Sequence, residues 1–204
     1  MRRKSVDSDR AVRTAILDAT RRLLASRNFD EISVADILGE AGVARGSFYF
    51  YFSRKQDVLA ELVRAAIAGG QVAGRTWLDH EGAGDRRAAV RRSIADGAKL
   101  WAEQAPVLRA VVENSHTDPE LARLWRGLMA QFTATTVERI EADRAAGAIT
   151  TELDSTTLAA TLTWLGERLY YLAALGEPPF DDQDKLVDAL THAWLAMLYG
   201  PSGR

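Results

Sequence analysis

Residues 32–59 read ISVADILGEAGVARGSFYFYFSRKQDVL, a pattern typical of two short helices joined by a turn. Ser33 precedes the first of these helices, and Asp36 follows three residues later. At this spacing each side chain can bond the backbone N–H of the other, which caps a helix start. The helix is expected to end at Ala41 and Gly42, because glycine permits the left-handed backbone of a tight turn. The segment therefore predicts a helix-turn-helix unit.

The inward side of this unit is predicted to be apolar. Phe48 and Phe52 are four residues apart and so share one helix face. They are assigned to the core, whereas Phe50 is left open between core and surface. The residues expected to pack with the two core phenylalanines are Ile37, Leu38, Ala41 and Val43.

The outward side of the second short helix, about Arg45 to Phe50, is polar and aromatic. Arg45 and Tyr49 are four apart and share this side, and Ser47, Phe50 and Tyr51 flank them. Arginine can bond O6 and N7 of guanine in the DNA major groove. Serine and tyrosine hydroxyls suit phosphate oxygens. The pattern therefore favours a helix that probes DNA.

A long helix is expected to follow this short one. Ser53 and Gln56 have the spacing of a second capping box at its start. The unbonded amides of a helix start attract phosphate, and Lys55 lies beside them. We expect this helix start to be a phosphate contact.

Composition adds weak support for a polyanion partner. The 204 residues carry a net charge of −2, but residues 1–64 hold 12 basic and 9 acidic side chains, against 14 and 19 in residues 65–204. A basic excess this small in residues 1–64 is explained about equally well by chance and by a polyanion partner. The chain has no cysteine, which excludes disulfides, thiolate metal sites and cysteine nucleophiles.

Helical periodicity continues along the chain and predicts an all-α fold. A first helix is expected over about 9–27, with its apolar residues on one face. The glycine-containing segment 80–85 is the clearest break, so the functional boundary is placed near 70–85. Later helices are expected over residues 85–104, 106–116, 118–146, 154–175 and 181–199.

Residues 10–65 resemble the DNA-binding domain of the TetR family, through the run GVARGSFYFYFSRK at 42–55. The resemblance implies a TetR-like fold: a three-helix helix-turn-helix DNA-binding domain at 1–65, with a basic N-terminal arm, and a larger helical ligand-binding and dimerisation domain at 66–204. That arm, Arg2 to Lys4, is either a minor-groove contact or a disordered tail.

The same resemblance implies which residues bind a double-stranded DNA operator. Arg45, Ser47 and Tyr51 would lie at base edges or nearby phosphates, Tyr49, Lys55 and Ser33 would hold phosphates, and Gly46 would let the backbone approach the duplex. Many relatives carry serine or threonine where this chain has Ala44. A cap or a phosphate contact is therefore missing at that position.

The region beyond residue 70 is rich in aromatic side chains. It contains all five tryptophans, and four of them, at 101, 125, 164 and 194, fall on predicted helices. Single tryptophans are usually core residues. Four of them in one small helical body leave an interior that is hard to fill without voids, and apolar cavities between helices are where small ligands bind.

Residues 85–200 also resemble one TetR subgroup, the repressors of ethionamide activation. The shared pieces are Leu124-Trp125, Gly166-Glu167-Arg168, Gly176-Glu177-Pro178 and His192-Ala193-Trp194. The subgroup implies an elongated apolar pocket, lined here by Trp101, Trp125, Met129, Phe132, Thr136, Thr163, Tyr171 and Trp194. Thr163 and Gly166 stand where the subgroup has asparagine, which alters the polar contacts that a ligand meets. The family also implies a homodimer through residues 154–199, where apolar residues recur every three or four positions.

These patterns favour a ligand-responsive transcriptional repressor that an apolar small molecule releases from its operator. A DNA-binding regulator or activator without an effector stays open, as does a helical enzyme. The enzyme is disfavoured, because the three histidines have no metal-ligand spacing and no Walker loop or nucleophile elbow occurs. We expect no catalytic residue, metal or cofactor. The chain has no apolar run of 18 residues and no signal pattern, so a cytoplasmic protein without membrane contact is expected.

Overall fold

The computed structural model describes residues 2–70, 77 and 85–200. These ranges contain eight α-helices with defined ends, one 3-10 turn at Phe29–Glu31 and no β-strand, which confirms the predicted all-α class. The helices are α1 (Arg2–Leu24), α2 (Val34–Ala41), α3 (Arg45–Tyr51), α4 (Lys55–Gly70), α5 (Arg86–Asn114), α6 (Pro119–Ala145), α7 (Ser155–Ala174) and α8 (Gln183–Tyr199).

The chain divides into two compact units. The first comprises Met1–Ile67 and Pro106–Trp125, and the second comprises Ala68–Ala105 and Arg126–Arg204. Two helices contribute to both units, because α5 is divided at Pro106 and α6 is divided after Trp125. The sequence-based division into 1–65 and 66–204 treats each domain as one continuous segment, and it stays a prediction.

In the first unit, α1 packs against α2 and α3. The apolar face of α1 supplies Ile16, which is fully buried, as are Ile37 of α2 and Phe48 of α3. The helix begins at Arg2 rather than near residue 9, because no glycine or proline interrupts the preceding residues. The residues of the predicted basic arm therefore form the first turn of α1. At its other end the helix stops at Leu24, and residues 25–27 form a turn instead of the predicted last helical turn.

The predicted boundary between two helices at Pro106 is also wrong. Two helices were expected on either side of Pro106, but the structure has the single helix α5 with Pro106 inside it. A proline removes one helical hydrogen bond. Trp101 before it and Leu108 after it are both buried, and this packing outweighs the local loss. The ends of α6, α7 and α8 agree with the predictions to within two residues. Except for Asp85, the predicted break at 80–85 lies outside the described residues.

Helices α5, α7 and α8 share an apolar core in the second unit. Tyr170 of α7 donates its hydroxyl proton to the carbonyl oxygen of Ile94 on α5, at 3.0 Å. A Cβ atom on Gly97 would lie 2.8 Å from that hydroxyl, so glycine is the residue that admits the ring. Burial, with the nearby charge of Asp96, raises the pKa of Tyr170 far above its usual value, and the phenol stays neutral. Trp101 stacks on the same ring with centroids 6.3 Å apart.

Candidate functional site

The start of α2 is capped as the sequence predicts. The hydroxyl oxygen of Ser33 accepts the N–H of Asp36 at 3.1 Å, and Asp36 Oδ2 accepts the N–H of Ser33 at 2.7 Å. Bonds from the Ser33 hydroxyl and N–H, with Arg27 nearby, lower the pKa of Asp36 to about 2. The Ser33 hydroxyl proton is donated to Asp36 Oδ2. A phosphate contact through Ser33, which remains a prediction, would therefore compete with this cap.

The turn between α2 and α3 also forms as predicted. Gly42 has φ 66° and donates its N–H to the carbonyl oxygens of Gly39 and Leu38. Ala44 stands at the N-cap of α3 and provides no side-chain cap. The structure therefore lacks this side-chain cap, as the sequence indicates, and α3 relies on other contacts to hold its first turn.

Helix α3 has a buried side and an open side. Phe48 is fully buried and Phe52 nearly so, which confirms their assignment to the core. Tyr49 is 51% exposed and Phe50 is 75% exposed, so Phe50 belongs to the surface. The guanidinium carbon of Arg45 lies 6.0 Å from the centroid of the Tyr49 ring. A seven-residue helix thus presents a cation and two aromatic rings to solvent, a surface suited to a binding partner.

The remaining predicted DNA contacts on α3 lie on or beside this open side. Gly46 is exposed, and a Cβ built on it meets nothing within 4 Å. Ser47 and Tyr51 are half-buried, and Tyr51 makes an edge contact with the Phe50 ring at 4.9 Å. The structure therefore places all five predicted α3 residues on one short helix, with Arg45, Gly46 and Tyr49 the most accessible.

The start of α4 differs from the predicted capping box of Ser53 and Gln56. Asp57 supplies the acceptor instead: its Oδ2 receives the N–H of Ser53 at 2.9 Å and of Arg54 at 3.0 Å. The helix begins at Lys55, one residue later than the predicted cap allows, so Asp57 takes the third helical position. Two of the amides expected to bind phosphate are thus bonded to a carboxylate.

Lys55 has a role that the sequence did not predict. Its Nζ donates to the carbonyl oxygens of Phe29 at 2.8 Å, Asp30 at 3.1 Å and Ile32 at 2.7 Å. An ammonium group has three donors, so these three bonds use all of them. Nζ also lies 4.7 Å from the centroid of the Phe29 ring. The predicted phosphate contact of Lys55 has no donor left in this arrangement, and the side chain instead fixes the loop that leads into α2.

The pKa of Lys55 reflects this environment. Burial lowers the pKa, while the charges of Asp30 and Asp36 act in the opposite direction. The net shift of the pKa is downward. Hydrogen bonds from an ammonium group to carbonyl oxygens are charge-assisted, and such bonds are stronger than neutral ones.

Arg54, the residue before α4, makes side-chain contacts that sequence reasoning missed. Its guanidinium donates to Asp118 Oδ2 at 2.7 Å and Oδ1 at 3.3 Å, and to Glu120. Asp118 is the N-cap of α6, because its Oδ1 also accepts the N–H groups of Glu120 and Leu121. The partners are 64 and 66 residues apart in the sequence, so no local pattern could have found them.

The predicted ligand-lining residues have mixed environments. Trp101, Trp125, Met129 and Thr136 are buried, and Thr163, Tyr171 and Trp194 are half-buried. Phe132 is 38% exposed, so its ring is not enclosed in this structure. Trp125 belongs to the first unit and the others belong to the second. Trp194 makes an edge contact with Trp77, at 5.6 Å between centroids.

A cavity of about 120 Å³ lies in the second unit, with Trp101 on its wall. The other aromatic walls are Tyr170 and Phe180, which the sequence did not assign to the lining. Tyr171 instead carries the Arg168 guanidinium over its ring at 5.2 Å. Pockets that bind drug-sized ligands usually measure about 300–1,000 Å³. This cavity would have to widen to admit an elongated molecule.

The comparisons with known proteins agree with this architecture. The family model for bacterial regulatory proteins of the TetR family matches residues 16–62, which cover α2 and α3. The model for the C-terminal domain of the transcriptional regulator EthR matches residues 90–200. The chain belongs to the TetR family of transcriptional regulators. Members of this family bind DNA operators as dimers and are not enzymes.

Within the family, the chain is similar to the EthR regulators. It is 34% identical to the HTH-type transcriptional regulator EthR of Mycolicibacterium smegmatis, over 91% of this chain and 85% of that protein. It is 32% identical to EthR of Mycobacterium tuberculosis, over 91% of this chain and 86% of that protein.

Solved structures share the fold at lower identity. The fatty acid degradation regulator FadR from Bacillus halodurans aligns with a TM-score of 0.73 and 19% identity, covering 95% of this chain and 97% of that one. A putative TetR-family regulator from Syntrophomonas wolfei aligns with a TM-score of 0.72 and 13% identity, covering 91% of this chain and 94% of that one.

Over the described part of this chain, no helix is both long and apolar enough to cross a membrane.

Lys55→Met tests whether this lysine supports the loop before α2. The variant keeps the apolar stem but leaves three carbonyl oxygens without their donor, so the free energy of unfolding should fall by about 1–3 kcal/mol. Urea titration measures this loss. Lys99→Met, at an exposed position of α5, is the control and should leave stability nearly unchanged.

The salt dependence of DNA binding separates this role from a phosphate contact. A lost phosphate contact reduces the slope of log K against log salt by about one unit. We expect Lys55→Met to leave that slope unchanged while it weakens binding. A slope reduced by one unit, with normal stability, would contradict the supporting role.

Proposed function

We propose that this chain is a ligand-responsive transcriptional repressor that reads its operator with α3 in the DNA major groove. The observation that carries the proposal is the open side of α3, where Arg45, Tyr49 and Phe50 are exposed on a helix anchored by buried Phe48. Exposed aromatic residues that lie side by side mark an interaction surface more often than isolated ones do. The family supplies the partner class, which is an operator in double-stranded DNA.

The proposed contacts follow from position and chemistry. Arg45 lies at the first turn of α3 and reaches base edges, where it can make paired bonds to guanine. Tyr49 and Tyr51 offer hydroxyls to phosphates, Ser47 reaches a base edge or a phosphate, and Ser33 offers its hydroxyl at the start of α2. Gly46 allows the backbone of α3 to come close to the duplex. Lys55 acts through the loop before α2. The protein would act in the cytoplasm, where its operator is accessible.

Gly46→Ala should separate DNA binding from folding. The added methyl group meets no atom within 4 Å in the protein, and alanine favours a helix by up to about 1 kcal/mol over glycine. We expect the variant to be at least as stable as the wild type but to bind DNA at least about tenfold more weakly, since one methyl group separates helix and duplex.

The control for this variant is Gly127→Ala in α6, an exposed glycine that also has open space around it. It should raise stability without changing DNA affinity. The operator is first selected from a random-sequence library with the full-length protein, and affinities are measured by fluorescence anisotropy. Wild-type affinity in Gly46→Ala would count against the close approach of α3.

The dimer is proposed to form through residues 154–199. On α7 an exposed stripe runs through Thr157, Thr161, Trp164 and Arg168, at the spacing of one helix face. Trp164 is 42% exposed in the protomer. Leu169 of α7 packs against the core of its own unit, so a charge there would damage the protomer as well as the dimer. Trp164 is therefore the better anchor to test.

Trp164→Glu should dissociate the dimer without unfolding the protomer, because a buried unpaired carboxylate at an interface is strongly unfavourable. Sedimentation velocity at micromolar concentration should show a monomer. Ala130→Glu, at an exposed position of α6, should remain a dimer. If Trp164→Glu stays dimeric, α7 does not form the interface through this stripe.

The effector is proposed to be an elongated apolar molecule held in the second unit. The support is the buried Trp101, stacked on Tyr170 at a cavity that also touches Phe180. The similarity to EthR regulators over most of the chain supports placing the chain in the same class of protein. By linkage, such a ligand weakens DNA binding only if it binds the DNA-incompetent arrangement more tightly.

Decanoic acid, its methyl ester and its amide are suitable probes. We expect at least one to raise the melting temperature, to quench tryptophan fluorescence and to weaken operator binding by about fivefold or more. Trp101→Leu should reduce the melting shift, whereas Leu153→Ala, at an exposed apolar position, should preserve it. Probes that stabilise the protein without changing its DNA affinity would favour a regulator that has no such effector.

A further inference from the structure

Arg54 connects two separate parts of the first unit. It directly precedes α4, and its backbone N–H is held by Asp57 at 3.0 Å. Its guanidinium bonds both oxygens of Asp118, the residue that caps α6. Glu120, in the first turn of α6, accepts a further bond from the same guanidinium. One arginine thus joins the start of α4 to the start of α6.

The pair of Arg54 and Asp118 is better placed than an ordinary surface ion pair. The Asp118 side chain is only 11% exposed, whereas most ion pairs among the described residues lie at the surface. Burial alone would raise the pKa of Asp118, but the N–H of Leu121, the Arg54 guanidinium and the N–H of Glu120 outweigh it and hold the pKa below its usual value. Paired bonds between guanidinium and carboxylate fix direction as well as distance.

The contacts on either side of Arg54 lead to the DNA-reading helices. The preceding residues 52 and 53 connect it to α3, and Phe52 is buried. The following residue, Lys55, bonds the loop that leads into Ser33 and α2. Any displacement of the start of α4 would therefore move the supports of both α2 and α3. A DNA-binding surface that is pre-arranged loses less entropy when it binds.

We propose that Arg54 is a positioning residue for DNA binding. Its salt bridge to Asp118, the residue that caps α6, holds α2 and α3 in the arrangement that fits the operator. Arg54 makes no contact with DNA in this role. The proposal rests on the proposed function, under which the free protein is the form that binds its operator.

The test uses a double-mutant cycle of Arg54→Gln, Asp118→Asn and the double variant, measured on the full-length protein with a selected operator. Asparagine retains the capping oxygen, so Asp118→Asn removes the charge without removing the cap. We expect each single variant to bind DNA roughly three- to tenfold more weakly. The double variant should bind DNA no more weakly than either single variant, because both substitutions remove the same interaction between Arg54 and Asp118.

The sign of the Asp118→Asn effect distinguishes this role from electrostatics. Removing a negative charge should tighten DNA binding if general charge alone governs affinity. If the Arg54–Asp118 salt bridge positions the DNA-binding helices, Asp118→Asn should instead weaken binding. The slope of log K against log salt should stay unchanged in both single variants. Melting temperatures and sedimentation confirm that each variant is a folded dimer under the conditions of the DNA measurement.

Lys99→Gln and Glu103→Gln, in an exposed ion pair on α5, are the matched controls. They change the net charge by the same amounts as Arg54→Gln and Asp118→Asn. Neither should change DNA affinity beyond twofold. Tighter binding by Asp118→Asn would overturn the proposal in favour of general electrostatics. A salt slope reduced by about one unit in Arg54→Gln would overturn it as well and make Arg54 a direct phosphate contact. Unchanged affinity in both single variants would overturn it as well. A wild-type protein that selects no operator would instead contradict the proposed function.

Discussion

A helix of seven residues cannot hold itself together, and this constraint governs the first unit. Isolated helices shorter than about 12 residues are marginal in water, because few hydrogen bonds offset the entropy of the first turn. Helix α3 also lacks a side-chain cap at Ala44 and contains Gly46 near its start. Its conformation must therefore come from its surroundings. Buried Phe48 anchors one side, and the left-handed Gly42 sets the direction of entry.

The two basic residues at the start of α4 complete this support. Lys55 bonds three carbonyl oxygens of the loop before α2, and Arg54 bonds the cap of α6. The family resemblance assigns Lys55 to a DNA phosphate and names no role for Arg54. In the structure both side chains are bonded within the protein, and the proposal is that they support α2 and α3. Arg45, Tyr49 and Phe50 form the open side of α3, where all three are exposed to solvent.

Local patterns predicted most of the features that depend on neighbouring residues, although the capping box of Ser53 and Gln56 was wrong, because Asp57 takes that role at the start of α4. The Ser33 and Asp36 box, the Gly42 turn and the burial of Phe48 and Phe52 all depend on residues within a few positions of each other, and all are present. Contacts between distant segments were missed. Lys55 meets a loop 23–26 residues away, and Arg54 meets partners 64 and 66 residues away. The helix through Pro106 was missed for the same reason, because tertiary packing overrode a local signal. In the second unit, helical periodicity did not distinguish Tyr170, which packs inward, from its neighbour Tyr171.

The central claim is that the open side of α3 reads base edges, and Arg45 is the side chain that would do so. The most direct measurement is the sequence specificity of Arg45→Ala, obtained by random-library selection in parallel with the wild-type protein. A lost bidentate contact should relax the preference for one base pair in each half-site, at a cost of about 1–3 kcal/mol for the preferred base, while other positions keep their preference. Two half-sites about one helical turn apart, or a multiple of it, should show the same change. An unchanged specificity profile in a folded Arg45→Ala dimer would contradict the account.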